Sequence, residues 1–250
     1  MFLPVRRTIR FISATCNQAL RRRRLKGALA ILAAASQLAA GQQAPVAPQS
    51  RFVVVLDAAH GGDDAGGRLT GGISEKAFTL ALSVRLRSLL AARGMQVVTT
   101  RESDSTVDPN RRADIANHAN AQACLSLHGT ESGSGIHLYT SSLAPAEPTR
   151  FAAFKTAQAA WVTRSLALAG VVNSSMLQAG LPVTLGRTTL LAVDSMACPA
   201  VAVEIAPKSP HDRATGGPPT ADLDDVDYQA RVAEALAAAL LEWRTEAREP

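Results

Sequence analysis

Residues 52–63 read Phe52-Val-Val-Val-Leu-Asp57-Ala-Ala-His60-Gly-Gly-Asp63. A continuous apolar run that meets glycine-rich sequence predicts a buried strand over 52–57. The stretch 58–72 is rich in glycine and predicts a loop. Ser74 is a good N-cap for a helix beyond it. Phe78, Leu82, Leu86 and Leu89 recur at helical spacing, which leaves Lys76, Thr79, Ser83 and Arg87 for the surface. Gly94 ends that helix, and 95–100 reads as a second strand.

The pattern continues outward. Asp108-Pro109 caps and starts a second helix that runs to about Ala119. Residues 123–127 form a third apolar strand, and 135–140 alternate as a fourth. A long helical stretch over 149–179 carries a break near Gly170. Two more strands are expected over 188–193 and 200–203, then a Pro/Gly-rich loop over 206–221. The last helix places Val232, Leu236, Leu240 and Trp243 on one face. Asp222, Asp224, Asp225 and Asp227 are its capped, negative start; they lack the glycine and final glutamate of a calcium loop. Strands alternating with helices predict an α/β layered sheet in a single domain.

Composition fits this. Of the 250 residues 47% are hydrophobic but only 4% aromatic, so the core is built from Ala, Val and Leu, and a disordered chain is excluded. Eight of the 26 Lys and Arg lie in residues 1–50, which hold no Asp or Glu. The rest of the chain has 18 basic against 21 acidic residues, a net of −3. The basic balance belongs to the first fifty residues and gives no reason to expect a nucleic-acid partner.

Those fifty residues read as an export leader. Arg21, Arg22, Arg23, Arg24 and Lys26 precede an apolar stretch over 27–35, and Leu38-Ala39-Ala40 is a cleavage site. A signal peptide is expected over 1–40, a linker over 41–50 and the folded domain over 51–250, secreted to the periplasm. The apolar run is short of the roughly 20 residues a bilayer needs; the alternative is an uncleaved interfacial anchor. Cys16 leaves with the leader. Cys124 and Cys198 read as two buried, small, apolar thiols, although a periplasmic space would permit a disulfide between them.

Three of the strands end in a polar group. The first reaches Asp57 and then His60, the third ends at His128, and the late one at Glu204. Ligands of open α/β sheets sit at the carboxyl ends of strands, so these groups can meet in one crevice. Glu75, in the first turn of the helix after the glycine loop, can lean over the same edge. Two imidazoles and a carboxylate with an open fourth position suit a catalytic zinc site, and a further carboxylate supplies a general base. A lone histidine at a strand end is also an ordinary hydrogen-bonded group, and from spacing alone both readings stand.

Local sequence adds a resemblance. Asp57-Ala-Ala-His60-Gly-Gly-Asp63 resembles the D-P-G-H-G-G-x-D opening of the zinc-dependent N-acetylmuramoyl-L-alanine amidases. Ile73-Ser-Glu75-Lys76 resembles their L-S-E-K, Thr100-Arg101-Glu-Ser-Asp104 their T-R-x-x-D, and Arg112-Ala-Asp-Ile-Ala-Asn117 their R-x-x-I-A-N. Ser126-Leu-His128 is similar to S-I-H, and Pro199-Ala-Val-Ala-Val-Glu204 to P-A-V-L-V-E. The matches follow the family's order across about residues 52–240.

The resemblance implies a single three-layer α/β/α domain with a mostly parallel or mixed sheet of about six strands. It also implies one Zn2+ on His60, Glu75 and His128, Glu204 as the catalytic base, and peptidoglycan as substrate. Asp57 and Asp63 are candidates to orient a ligand histidine, or else cap loops. This chain departs from the family at Ala58-Ala59 for Pro-Gly, at Gly129-Thr130 for Ala-Asn, and at Ile205-Ala-Pro-Lys208 after the glutamate. The segment between His128 and Glu204 is short for the regulatory helix some members insert, so an open site is expected, with the need for a protein activator left open.

The remaining polar residues have plainer readings. His118 is solvated or partly buried in a helix, His137 faces a groove or solvent, and His211 is a loop residue. Arg101 and Arg112 tie loops to the sheet. The rivals to an amidase are a zinc hydrolase of another amide and a non-catalytic wall-binding module; the presence of Glu204 argues against the second, since binding needs no base.

Overall fold

Val54, Val55 and Leu56 are wholly buried although they point alternately to opposite faces of one strand. A central parallel strand is buried in this way. This strand, β1 (Val53–Ala58), has β2 (Gln96–Thr99) on one side and β3 (Ala123–Gly129) on the other, both parallel to it. The computed structural model describes residues 51–148, 153–208 and 221–247. The leader expected over 1–40, the linker over 41–50, His211 and most of the loop over 206–221 lie outside the described residues.

The remaining strands are β4 (Ile136–Ser141), β5 (Val183–Thr188) and β6 (Ala200–Ile205). The sheet order is β2-β1-β3-β6-β4-β5. β6 runs parallel to β3, whereas β4 and β5 run parallel to each other and antiparallel to β6. The α/β class and the six strands are as expected, and the sheet is mixed.

Helices α1 (Glu75–Ala92), α3 (Val162–Gln178) and α4 (Val226–Glu246) cover one face, with α4 packed against both of the others. Val54 and Leu56 join Phe78, Leu82, Leu86, Met176, Leu236 and Leu240 in the larger core. The opposite face carries α2 (Pro109–His118) and a 3-10 turn at Val193–Ser195. There Val55, Ala113, Ala116, Val193 and Met196 form a smaller core. The helix starts follow their caps. Asp108 accepts hydrogen bonds from the N–H groups of Asn110 and Arg111, and Asp225 from those of Asp227 and Tyr228. Such a cap contributes about 1 kcal/mol.

Four expectations need correction. Thr79 and Ser83 are buried, not on the surface. The buried stripe of α1 ends at Leu90, with Leu89 partly buried against the same core, and Thr79 donates to the Ala59 carbonyl. The helical stretch expected over 149–179 is a 3-10 turn at Phe154–Ala160 followed by α3, unbroken at Gly170. Gln158, within the turn, is fully buried and donates to the carbonyls of Met196 and Cys198.

The strand expected over 188–193 lies earlier, at β5. This edge strand is largely exposed and lacks an apolar run, while Leu190, Ala192 and Val193 close the smaller core as a turn. Finally, Cys124 and Cys198 are not two free thiols but a disulfide, with Cα atoms 6.3 Å apart. Cys124 lies beside Ala200 in the β3–β6 ladder, so the residues just before β6 pass next to it. Only the strand order brings the two cysteines together. Among the described residues no helix is long and apolar enough to cross a membrane.

Candidate active site

After β1 the chain turns sharply. His60 adopts φ 60°, a left-handed conformation that histidine tolerates better than most residues. Lys76 and Arg101 hold the turn from below. Lys76 Nζ donates to the Gly62 carbonyl at 2.6 Å, and Arg101 donates to the carbonyls of Ala58, Ala59 and Lys76. Arg101 ties loops to the sheet, as expected.

Glu75 opens α1 from the N-cap position of Ser74, whose side chain makes no capping bond. It is the backbone that places the helix: Glu75 N donates to the Gly67 carbonyl at 2.8 Å. Gly66 lies so close that a Cβ there would sit 2.7 Å from both Glu75 Oε2 and His60 Cδ2. Only glycine lets the loop pass over this pair.

His60, Glu75 and His128 come together as expected. His60 Nε2 lies 3.0 Å from Glu75 Oε2, and His128 Nδ1 lies 3.1 Å from Glu75 Oε1. The two imidazoles stand edge to face with centroids 5.7 Å apart. One ligand atom from each of the three residues lies within 4.8 Å of the others, which suits a single metal ion. Two imidazoles and one carboxylate are a donor set typical of catalytic zinc. Burial pushes the Glu75 carboxyl up, but hydrogen bonds from His128 and the Gly67 N–H, with the charges of both histidines, outweigh it. They hold Glu75 below the ordinary carboxylate range.

The far ring nitrogens are held as well. His60 Nδ1 meets Asp64 Oδ2 at 2.8 Å, and that bond is the main reason the Asp64 carboxyl is held down. The carboxylate is therefore Asp64 and not its neighbour Asp63. His128 Nε2 lies 3.3 Å from Ser126 Oγ, which donates to Asp57 Oδ2 at 2.7 Å. Asp57 is buried, and its other oxygen accepts from Arg112 Nη1 at 2.6 Å and Thr100 Oγ1 at 2.8 Å. It caps no loop; it anchors the serine that touches His128. Arg112 also donates to the carbonyls of Ala58 and His60, tying the turn to the sheet.

Glu204 lies on β6, directly paired with His128 on β3 and with His137 on β4. His137 Nδ1 meets Glu204 Oε2 at 3.0 Å. The histidine read as facing a groove or solvent therefore belongs to the site. The rule that ligands gather at carboxyl ends misses it, because β4 runs the other way and brings its amino end to this edge. His118 takes no part: it is exposed in the last turn of α2, its Nδ1 against the Asp114 carbonyl.

A cleft of about 330 Å³ opens beside His60 and His128. Its far wall is Leu190–Val193, with Val107 and Pro109 below. Leu191 is 76% exposed on its rim, a large apolar side chain left to solvent at the mouth.

The chain is similar to known cell-wall amidases. The family model described as Amidase_3, N-acetylmuramoyl-L-alanine amidase, matches residues 54–242. The germination-specific N-acetylmuramoyl-L-alanine amidase of Bacillus subtilis strain 168 is 34% identical over 95 residues, covering 32% of this chain and 40% of that protein. AmiA of Escherichia coli K12 is 36% identical over 90 residues, covering 35% of this chain and 31% of that protein. The match thus spans less than half the length of either relative. Among solved structures, the catalytic domain of the amidase CwlV from Bacillus (Paenibacillus) polymyxa var. colistinus has a TM-score of 0.59 at 26% identity, covering 78% of this chain and 98% of that one. AmiC2 of Nostoc punctiforme has a TM-score of 0.58 at 25% identity, covering 78% and 97%.

Proposed function

The chain belongs to the Amidase_3 family of N-acetylmuramoyl-L-alanine amidases, and from that premise we propose that it hydrolyses the amide between N-acetylmuramic acid and L-alanine in peptidoglycan. The observation that carries the reading is the meeting of His60, Glu75 and His128 beside Glu204 at one edge of the sheet.

In this reading His60 Nε2, His128 Nδ1 and the Glu75 carboxylate hold one zinc ion. Bound there, zinc would supply a Lewis acid for the amide carbonyl and would lower the pKa of water to roughly 7 in favourable cases. Glu204 takes the proton of the attacking water and passes it to the leaving amine of the stem peptide's first alanine. The lactyl carbon–nitrogen bond breaks, leaving a muramoyl carboxylate and a free peptide amine. Asp64 and Ser126 fix the orientation of His60 and His128 through their far ring nitrogens. The cleft beside His60 and His128 is the site this reading gives to the muramoyl-peptide.

The same reading places the protein in the periplasm, with residues 1–40 as export signal, 41–50 as linker and 51–250 as catalytic domain. The Cys124–Cys198 disulfide supports an oxidising compartment.

Mass spectrometry of soluble products from purified sacculi, digested with zinc by the wild type and by Glu204→Gln, tests the function. Stem peptides with a free alanine amine, released by the wild type alone, are expected. Fragments cut within the peptide would favour a hydrolase of another amide, and no products with metal bound would favour a wall-binding module.

A further inference from the structure

His137 and Glu204 are direct partners in the antiparallel β4–β6 ladder, so their side chains rise from the same face. Nδ1–H of the imidazole donates to Glu204 Oε2 at 3.0 Å. The histidine side chain is 13% exposed and the glutamate 31%, so the buried partner is the fixed one. Two further contacts fix the ring. Gly133, at φ +80°, lies so close that a Cβ there would sit 2.6 Å from His137 Cε1. On the strand itself Tyr139 meets the ring edge to face, with centroids 6.5 Å apart.

We infer that His137 is a positioning residue for Glu204. Its Nδ1–H commits one carboxylate oxygen, Oε2, and so turns the other, Oε1, to the water whose proton it takes. This rests on the proposed hydrolytic role of Glu204. A free glutamate side chain samples several rotamers, and each wrong one removes the base from reach of its proton. The loop of Gly133 and the ring of Tyr139 hold the imidazole in place before substrate arrives.

The test compares the full-length wild type with His137→Ala, His137→Asn and His137→Gln, each loaded with zinc. kcat and KM are measured on a soluble muramoyl-peptide, with metal content and thermal melting recorded alongside. His137→Ala should lower kcat roughly 10–100-fold, with KM within about twofold and metal content unchanged. Asn places its side-chain amide where Nδ1–H stood, so His137→Asn should recover most of the rate. Gln places its amide nearer to Nε2 and should recover little.

A merely structural histidine would not separate Asn from Gln. Equal rates for Ala and Asn, or a faster Gln than Asn, would overturn the inference. If His137→Ala fails to fold, the comparison of Asn with Gln still decides. An active wild type with an equally active His137→Ala overturns the inference alone, whereas a zinc-loaded wild type that leaves the muramoyl-peptide intact overturns the proposed function and the inference with it.

Discussion

Glu204 on β6 stands directly across the ladder from His128 on β3. Neighbouring strands lie roughly 4.8 Å apart, and parallel partners in register project to the same face. One residue can thus hold a metal while its neighbour works as a base, with no loop needed to carry either. The two roles should separate by mutation. After dialysis against zinc, the wild type and Glu204→Gln should each retain one ion per chain, and His128→Ala and Glu75→Gln should lose it. Elemental analysis of the dialysed protein reads this directly. Full stoichiometry in His128→Ala, or loss in Glu204→Gln, would reverse the assignment.

Gly129 departs from the family's alanine, and its surroundings give the reason. A Cβ there would lie 2.9 Å from both Leu69 Cδ1 and Phe78 Cδ1. These two buried side chains occupy the space an alanine methyl needs. Gly129→Ala should therefore destabilise the fold by about 1–3 kcal/mol, the usual cost of overpacking a core. Denaturant unfolding measures it, and an unchanged or raised midpoint would show that the pocket yields freely.

The Cys124–Cys198 disulfide links residues 74 positions apart, and it pins β3 to the segment entering β6. Those strands carry His128 and Glu204. Cys124→Ser with Cys198→Ser should lose about 2–4 kcal/mol of stability. Added reductant should lower the unfolding midpoint of the wild type and leave the double variant unmoved. Equal midpoints for the two oxidised proteins would contradict this.

Lys76 clasps the His60 turn through Asp104, with Nζ 2.8 Å from Oδ2, while Gly62 N–H donates to Oδ1 at 2.7 Å. The Lys76 hydrogen bond, more than any other contact, holds the Asp104 carboxyl below its ordinary 3.8. A carboxyl lowered by folding stabilises the native state above its unfolded pKa and loses that contribution as pH falls through the folded value. Asp104→Asn should thus melt slightly below the wild type at neutral pH, and the gap should close as pH drops below about 3.8. A gap that stays constant in acid would exclude the charge of Asp104 as its source.

Much of this was legible in the sequence, and the misses share physical causes. The buried strands announced themselves as apolar runs at β1, β3 and β6, and they carry His60, His128 and Glu204 at their ends. Asp108 and Asp225 marked two helix starts with their own side chains. β5 escaped because an edge strand with both faces largely exposed has no apolar period to read. The disulfide and His137 escaped for a different reason: both depend on which strands lie side by side and in which direction they run. β4 runs antiparallel to β6, so a residue at its start reaches the edge where other strands finish. Asp64 displaced Asp63 because the turn at His60 takes a left-handed residue, which no local pattern marks.

If these residues cut the lactyl amide, the oxygen of the attacking water ends in the muramoyl carboxylate. Sacculi digested by the zinc-loaded wild type in water enriched in oxygen-18 yield two products for mass spectrometry. Label in the muramoyl carboxylate, with the released stem peptide unlabelled, is the expected result. Label in a peptide carboxylate, with the muramoyl–alanine amide intact, would contradict it.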